Sequence, residues 1–310
     1  MTEPTVGRGA AMAAEREARQ RSSRPARTPA RMALQRLRKR KVAVWGVCVL
    51  TVLALMAILA PWIAPYDPNA IDLAGGTRGG RPLPPSPQHW MGTDFLGRDY
   101  FSRIIYGARI SLSVGFIAMG IAVGIGAILG GVAGFWGGAA DNLIMRLTDV
   151  MLCIPQFFLI LTVQSMTKPS IYNVMAVIGL TGWATIARIV RAEVLSLKQR
   201  DFVTAARSVG ASSGRIVFRH LLPNAMGPIT VAASLRVPGA ILTESGLSFL
   251  GLGVQPPQAS WGNMLQGSTK YLGTAWWVVF FPGLFISLAV TSFNFLGDGL
   301  RDALDPRALR

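Results

Sequence analysis

Long apolar runs limit what this chain can fold into more than any other feature of its sequence. A helix that crosses the hydrocarbon core of a bilayer needs roughly 20 predominantly apolar residues, and several runs of about that length occur within the 310 residues. Charged residues make up only 15% of the chain, against about 25% in soluble domains. The sequence therefore predicts an all-α membrane protein with one membrane domain and a tail.

Six of these runs are predicted to be transmembrane helices. They cover residues 42–64, 110–136, 142–166, 172–189, 225–247 and 275–296. We expect Pro155 to kink the third span, because proline removes a helical hydrogen bond and its ring clashes with the preceding turn. An even number of spans places both termini on one side of the membrane.

The distribution of basic residues predicts which side that is. Residues 1–41 contain 12 Lys and Arg against three Asp and Glu, and residues 188–219 contain seven against two. The segment 65–108 is balanced, with four of each sign. Cytoplasmic loops carry the excess of Lys and Arg in membrane proteins. We therefore expect both termini and residues 190–224 in the cytoplasm, and an outer segment at 65–108.

The N-terminal region is predicted to be a disordered basic cytoplasmic tail over residues 1–35, followed by a transmembrane domain over residues 36–310. The tail is rich in Arg, Ala, Ser and Pro, a composition with too little apolar surface to fold. The net charge of +16 would also suit a nucleic-acid-binding protein. However, no aromatic side chain for base stacking precedes Trp45. Membrane orientation accounts for the charge, and no nucleic-acid partner is expected.

The second span contains glycines spaced four residues apart. These are Gly120, Gly124, Gly126, Gly130 and Gly134. A helix face without Cβ atoms lets a neighbouring helix approach closely. We expect this face to pack within the chain rather than against a second subunit.

A basic segment, TAARSVGASSGRIVFRHLLPN at residues 204–224, interrupts the apolar sequence. Apolar side chains recur at helical spacing in and just before its first half, at Phe202, Ala205, Ala206 and Val209. Gly210 then permits a turn, and Ser212 or Ser213 can cap a second short helix. We expect Pro223 to end that helix before the next span.

Two short helices joined at a glycine would form a rigid surface suited to docking into a partner's groove. The alternative is an amphipathic loop that lies on the anionic headgroups of membrane lipids. The residues of the loop alone leave both interpretations open.

The same segment resembles the EAA loop of ABC-importer permeases. The pattern of that family is Glu-Ala-Ala, three residues, Gly, nine residues, Ile, any residue and Leu-Pro. Two positions of this chain depart from it, with Thr204 in place of Glu and His220 in place of Ile. The positions that match are Ala205, Ala206, Gly210, Leu222 and Pro223.

Three further segments resemble the C-type permease subunit of dipeptide, oligopeptide and nickel importers. They are MGTDFLGRDYFSRIIYGARISLSVG, ESGLSFLGLGVQPPQASWGNML and FNFLGDGLRDALDPR. The resemblance covers residues 31–308 and implies the type I ABC-importer permease fold in a bacterial inner membrane. It also implies four protein partners: a homologous second permease, two cytoplasmic ABC ATPases and an extracytoplasmic solute-binding protein. The implied cargo is a dipeptide or oligopeptide, with nickel or another small solute as the alternative.

The resemblance further implies that residues 190–224 form a cytoplasmic coupling loop that sits in the ATPase cleft. The residues that it assigns to this role are Asp201, Thr204, Ala205, Ala206, Gly210, Arg215, His220, Leu222 and Pro223.

The chain carries no recognisable catalytic motif. A phosphate-binding loop needs GxxxxGK[ST], and none of the five lysines precedes Ser or Thr. We therefore expect a non-catalytic subunit without a cofactor or metal, with ATP and Mg bound by the partner ATPases. A self-sufficient secondary carrier is the remaining alternative, but no repeat relates the two halves of the chain.

Ionisable residues inside the predicted spans are candidates for the translocation pathway, because charge within a bilayer is costly. These are Asp149, Arg236 and Glu244. Arg146 is the expected partner of Asp149 at i, i+3 spacing. Arg236 and Glu244 lie about 12 Å apart along one helix, so each is expected to have another partner. For Glu244, a place in the pathway and an ion pair with a neighbouring helix both remain open.

Overall fold

The computed structural model describes residues 35–167 and 170–304. The predicted tail therefore lies outside the described residues, except for residue 35. The helices, in chain order, are α1 (Lys41–Ile58), α2 (Ala60–Ile63), α3 (Tyr100–Trp136), α4 (Gly138–Cys153), α5 (Gln156–Met166), α6 (Ile171–Leu197), α7 (Asp201–Ser208), α8 (Ser213–Arg215), α9 (Leu222–Phe249), α10 (Trp261–Leu265) and α11 (Trp277–Leu304). A π-helical turn, Ile216–Leu221, joins α8 to α9, and a 3₁₀ turn, Ser268–Tyr271, follows α10. Strands β1 (Thr77–Arg78) and β2 (Arg81–Pro82) form a small antiparallel hairpin.

Five helices in the described part of the chain are long and apolar enough to cross a membrane. They are α1, α3, α6, the continuous helix over residues 213–249 and α11. The remaining predicted span, residues 142–166, is divided into α4 and α5, which meet at 84°. Counting this bent pair as one span brings the number to six.

The bend between α4 and α5 is much sharper than the kink predicted at Pro155. Ile154, the residue before the proline, adopts an extended conformation with φ −85° and ψ 124°. A residue before proline is sterically driven out of the helical region, so the helix stops and α5 begins at Gln156. The result is two helices with different directions rather than one kinked rod.

Glycines of α3 allow α6 to pack closely along the length of α3. A Cβ atom on Gly126 would lie 2.6 Å from the Ile186 side chain, and one on Gly130 would overlap the carbonyl oxygen of Ala187. A Cβ atom on Gly134 would lie 2.9 Å from the carbonyl oxygen of Arg191. Substitution at these three positions would force the helices apart.

The expectation of packing within the chain does not hold for Gly120 and Gly124. Both are exposed, and a Cβ atom on either would meet no atom within 4 Å. Gly124 lies two residues from Gly126, which places it about 200° around the helix at 3.6 residues per turn. The glycines therefore occupy two faces of α3, and only one of them packs on α6.

The prediction that the second half of the basic segment is a separate short helix ended by Pro223 is wrong. This half continues through the π-helical turn into α9. In that turn the amide of Leu222 donates to the carbonyl of Val217, five residues earlier. The wider turn rearranges the hydrogen bonds just before Pro223, so the proline enters at the start of α9 without ending the helix.

The segment before α3 is held by buried charged groups. Asp94 accepts from the Arg98 Nε atom at 2.7 Å and lies 3.6 Å from the Arg103 Nε atom. Arg103 also donates to the carbonyl of Pro68 at 2.8 Å. These bonds join residues 68–98 to the first turn of α3. Trp261 in α10 donates to the carbonyl of Ile104 at 3.1 Å, which joins α10 to the same turn.

Candidate functional site

Helix α7, within the predicted coupling loop, is anchored by one apolar face. Its Val203 and Ala206 side chains are 1% and 9% exposed. They belong to a buried cluster with Phe135 of α3, Val194 of α6 and Ile216 of the π-helical turn. This loop helix is therefore packed against the ends of three long elements and will move with them as a unit.

The flank of α7 next to this buried face exposes apolar side chains, which we call the α7 outer face. It consists of Phe202, Ala205 and Val209, which follow one another at helical spacing. Phe202 is 38% exposed and Val209 is 84% exposed. The four apolar residues predicted to form one face are thus divided, because Ala206 turns inward while the other three remain exposed.

Gly210 ends α7 in a left-handed conformation with φ +77°. Its amide donates to the carbonyl of Arg207 at 2.9 Å, and the amide of Ala211 donates to the carbonyl of Ala206 at 3.0 Å. This pair of bonds is the Schellman motif, which favours glycine at this position. The motif fixes the angle at which the chain leaves α7, so the α7 outer face has a defined orientation.

The other predicted coupling residues lie within α7 or in the chain that follows it. Ser212 caps the next helix by accepting from the Arg215 amide at 3.4 Å. Asn224 donates to the carbonyl of His220 at 2.6 Å. The predicted residues Asp201, Thr204, Arg215 and Pro223 are exposed, whereas His220 and Leu222 are half-buried.

Two ion pairs join α4, the first helix of the bent pair, to α6. Asp149 does not pair with Arg146, as expected, but accepts from the Arg188 Nη2 atom at 2.9 Å. Arg191 forms two bonds to Asp141, at 2.5 and 2.6 Å. Both arginines belong to α6, and both carboxylates belong to α4. Spacing along one helix does not predict such pairing between two helices.

Glu244 is fully buried, and its carboxylate accepts hydrogen bonds only from hydroxyl groups among the described residues. Ser248 donates at 2.7 Å, Ser111 at 3.3 Å and Ser245 at 3.4 Å. We call these three serines and Glu244 the Glu244 hydroxyl cluster. Of the two interpretations left open for Glu244, the ion pair with a neighbouring helix finds no basic partner among the described residues, where hydroxyl donors bind the carboxylate.

The Glu244 hydroxyl cluster also holds the segment that follows α9. Ser248 Oγ accepts from the amide of Val254 at 3.0 Å, and Ser111 Oγ accepts from the amide of Trp261 at 3.1 Å. One carboxylate therefore orders contacts among α3, α9 and residues 250–261. The i, i+4 spacing on α9 could have indicated the contact with Ser248, whereas Ser111 lies on a different helix and spacing gives no sign of it.

Arg236 lies in the middle of α9 and lines a pocket of about 300 Å³ between α3, α5, α6 and α9. Its Nη2 atom donates to the Thr185 hydroxyl of α6 at 2.5 Å. Gln156 and Thr243 supply the other polar side chains of the pocket. No carboxylate of the described residues forms a salt bridge with Arg236.

Groups of three or more His, Cys, Asp or Glu side chains that could hold a metal ion do not occur within residues 35–167 and 170–304.

Comparisons with known proteins match nearly the whole chain. A family described as "Binding-protein-dependent transport system inner membrane component" matches residues 103–310. A second family, "N-terminal TM domain of oligopeptide transport permease C", matches residues 28–85. Three of the four segments on which the predicted resemblance rested lie within residues 103–310, and the fourth, residues 91–115, overlaps that match.

Curated relatives agree with these families. The dipeptide transport system permease protein DppC of Bacillus subtilis is 44% identical over 93% of this chain and 88% of its own length. The oligopeptide transport system permease protein OppC of the same organism is 42% identical, covering 89% of this chain and 88% of its own. The probable D,D-dipeptide transport system permease protein DdpC of Escherichia coli is 41% identical, with coverages of 86% and 88%.

A solved structure titled as an amino acid ABC transporter with histidines has a TM-score of 0.46 and 17% identity, covering 66% of this chain and 94% of its own. The family and relatives confirm the predicted resemblance to C-type permease subunits. The chain therefore belongs to the family of inner membrane components of binding-protein-dependent transport systems.

Proposed function

We propose that this chain is the transmembrane subunit of an ATP-driven importer of dipeptides or oligopeptides. It forms half of the translocation pathway, and a homologous second permease forms the other half. Six spans cross a bacterial inner membrane, with both termini and residues 190–224 in the cytoplasm. The similarity to curated dipeptide and oligopeptide permeases over about nine-tenths of the chain supports the peptide cargo.

The observation that carries the proposal is the two-sided character of α7. One side is packed on the ends of α3 and α6, and the α7 outer face presents an exposed apolar surface. An exposed apolar helix face on a rigid support suits insertion into a groove of a partner. Two cytoplasmic ATPases, which bind ATP and Mg, would supply that groove on this chain and on the second permease.

This arrangement converts movement of the ATPases into movement of the spans. Because Val203 shares a buried cluster with Phe135 and Val194, a displacement of α7 must also displace the ends of α3 and α6. Close packing of the cluster prevents α7 from moving independently. The mechanical step therefore needs no chemistry in this chain, which acts as a non-catalytic subunit.

The solute-binding protein would deliver cargo at the face formed by residues 65–108 and α10. Arg98 and Arg103 with Asp94 fix residues 68–98 against α3. The Glu244 hydroxyl cluster fixes residues 250–261 against the same helix. Because this outer face is already ordered, a protein can bind to it without the cost of ordering these segments.

The proposal is tested in lipid nanodiscs that contain this chain, its second permease and both ATPases. ATP hydrolysis is measured while a solute-binding protein loaded with dipeptides, longer peptides, haem or nickel is added. We expect stimulation by a peptide-loaded binding protein. Stimulation by nickel or haem alone would contradict the peptide cargo, and hydrolysis by the isolated chain would contradict its non-catalytic role.

A further inference from the structure

Arg236 is a cation near the midpoint of a membrane helix. It lies 14 residues after Leu222 in a helix of 28 residues, which is about 21 Å along the axis at 1.5 Å per residue. Charged side chains at such a depth are costly and mark functional sites when they face a cavity. The side chain is only half-buried in this structure, at the edge of the pocket.

Glu244, Asp149 and Asp141 of the neighbouring helices bind other groups, and Glu193 of α6 forms no salt bridge with Arg236 among the described residues. Glu244 is surrounded by the serines of the Glu244 hydroxyl cluster. Asp149 and Asp141 bind Arg188 and Arg191 of α6. The described part of the chain thus provides Arg236 with a neutral hydroxyl from Thr185 and with no counter-charge.

The pocket beside Arg236 has the chemistry of a site for an anion attached to a small apolar group. Gln156 and Thr243 add neutral polar groups, and the other walls include Ala118, Ala122 and Ala240. A volume of about 300 Å³ lies at the lower end of the range for small-molecule sites. It suits the end of a peptide rather than the whole of a long one.

We infer that Arg236 binds the free C-terminal carboxylate of a peptide during transit. The inference rests on the proposed function. A guanidinium group can pair with a carboxylate through two parallel N–H···O bonds, and only one of its nitrogens is engaged by Thr185 among the described residues. The apolar walls beside it receive the terminal side chain.

The hydrogen bond from Thr185 gives this site its orientation. It holds the Arg236 Nη2 atom against α6, so the remaining N–H groups keep a fixed direction before the peptide arrives. Thr185 is therefore a positioning residue, and its loss should weaken discrimination between peptides rather than abolish transport.

The test compares alanyl-alanine with alanyl-alanine amide, which differ only at the C-terminal group, a carboxylate in one and a neutral carboxamide in the other. Uptake of both is measured in proteoliposomes that contain the complete importer. The affinity of the solute-binding protein for each peptide is measured separately, and both peptides are supplied at saturating concentrations. This design separates recognition by the permease from delivery.

We expect the wild-type complex to transport the acid at least about tenfold faster than the amide, as one charge-assisted pair allows. Arg236→Gln should lower uptake of the acid close to the level of the amide and affect uptake of the amide much less. Thr185→Val should reduce the ratio in part. Thr230→Val is the matched control, because among the described residues that exposed hydroxyl bonds to the Met226 carbonyl of its own helix alone.

Equal loss of both peptides in Arg236→Gln, or an unchanged ratio, would overturn the inference. If Arg236→Gln fails to assemble, Arg236→Lys, which keeps the charge but not the two-pronged geometry, decides the question. A lowered acid-to-amide ratio in Arg236→Lys supports the site, whereas an unchanged ratio points to a carboxylate of the second permease as the partner. A wild-type complex that takes up neither peptide in the presence of ATP would contradict the proposed function instead.

Discussion

Gly210 illustrates how one backbone conformation can orient the α7 outer face. Its φ of +77° lies in the left-handed region, which costs a side-chain-bearing residue about 1–2 kcal/mol. A Cβ atom at this position would nevertheless meet nothing within 4 Å. Conformation rather than space therefore requires glycine here, and a substitution should alter the direction of the chain without disturbing the spans.

Gly210→Val is expected to uncouple the importer. The β-branched side chain disfavours the Schellman motif by at least the same 1–2 kcal/mol, so the α7 outer face loses its orientation. We expect transport to fall several-fold while the complex still inserts and assembles, as measured by peptide uptake and by size-exclusion chromatography. Gly214→Ala is the matched control, because Gly214 is also open to solvent but lies within a helix at ordinary φ. Normal uptake by Gly210→Val would count against coupling through α7.

The Glu244 hydroxyl cluster makes a second prediction, which concerns stability. Ser111→Ala removes both a donor to Glu244 and the acceptor for the Trp261 amide. Each buried group left without a partner costs about 1–3 kcal/mol, so the melting temperature of the purified complex should fall. Ser113→Ala should leave the melting temperature unchanged, because within the described part of the chain the Ser113 hydroxyl bonds to the Ile110 carbonyl of its own helix alone. Equal melting temperatures for the two variants would contradict a stabilising role for the cluster.

Among the described helices, α3 and α6 share the most extensive contact. The two glycine faces of α3 allow that packing to be tested. Gly130→Ala places a Cβ atom against the Ala187 carbonyl, and overpacking of this kind costs about 1–3 kcal/mol. Gly124→Ala meets no atom within 4 Å and should be neutral or stabilising by roughly 0.5–1 kcal/mol. Thermal unfolding of the two variants distinguishes the faces. A Gly124→Ala complex as unstable as Gly130→Ala would show that the exposed face also packs, on a partner.

The helices were predictable from the sequence to the extent that their signals are local. Apolar length indicated five of the spans, and the residue types at 210 and 212 indicated a turn and a cap. Two features at prolines were mispredicted, one because of the hydrogen bonds of a π-helical turn and the other because of the steric effect of proline on the residue before it. Pro223 enters α9 after a π-helical turn, whereas Pro155 separates α4 from α5 completely.

The partners of charged groups were the least predictable part of the candidate site. Asp149 pairs across helices with Arg188 rather than along α4 with Arg146. Glu244 is satisfied by serines, one of which lies 133 residues away in the chain. Such partners depend on which helices pack together, and a single sequence does not contain that information.

For the molecule as a whole, the orientation in the membrane is predicted from charge. We expect Ser212→Cys, in a variant without Cys48 and Cys153, to resist a membrane-impermeant maleimide in intact cells and to react after permeabilisation. A cysteine at Asn69, which is exposed in the segment 65–108, should react in intact cells and serves as the control. Strong labelling at position 212 from outside would contradict the orientation.

The central claim is that this chain carries peptides only when partner ATPases drive it through α7. The most direct measurement is uptake of a radiolabelled dipeptide into proteoliposomes that contain the complete importer and the loaded binding protein. We predict accumulation against a gradient with ATP, none with a non-hydrolysable analogue, and none when the ATPases are omitted. Concentrative uptake by the permeases alone, or uptake driven by an ion gradient without ATP, would contradict the account and indicate a secondary carrier.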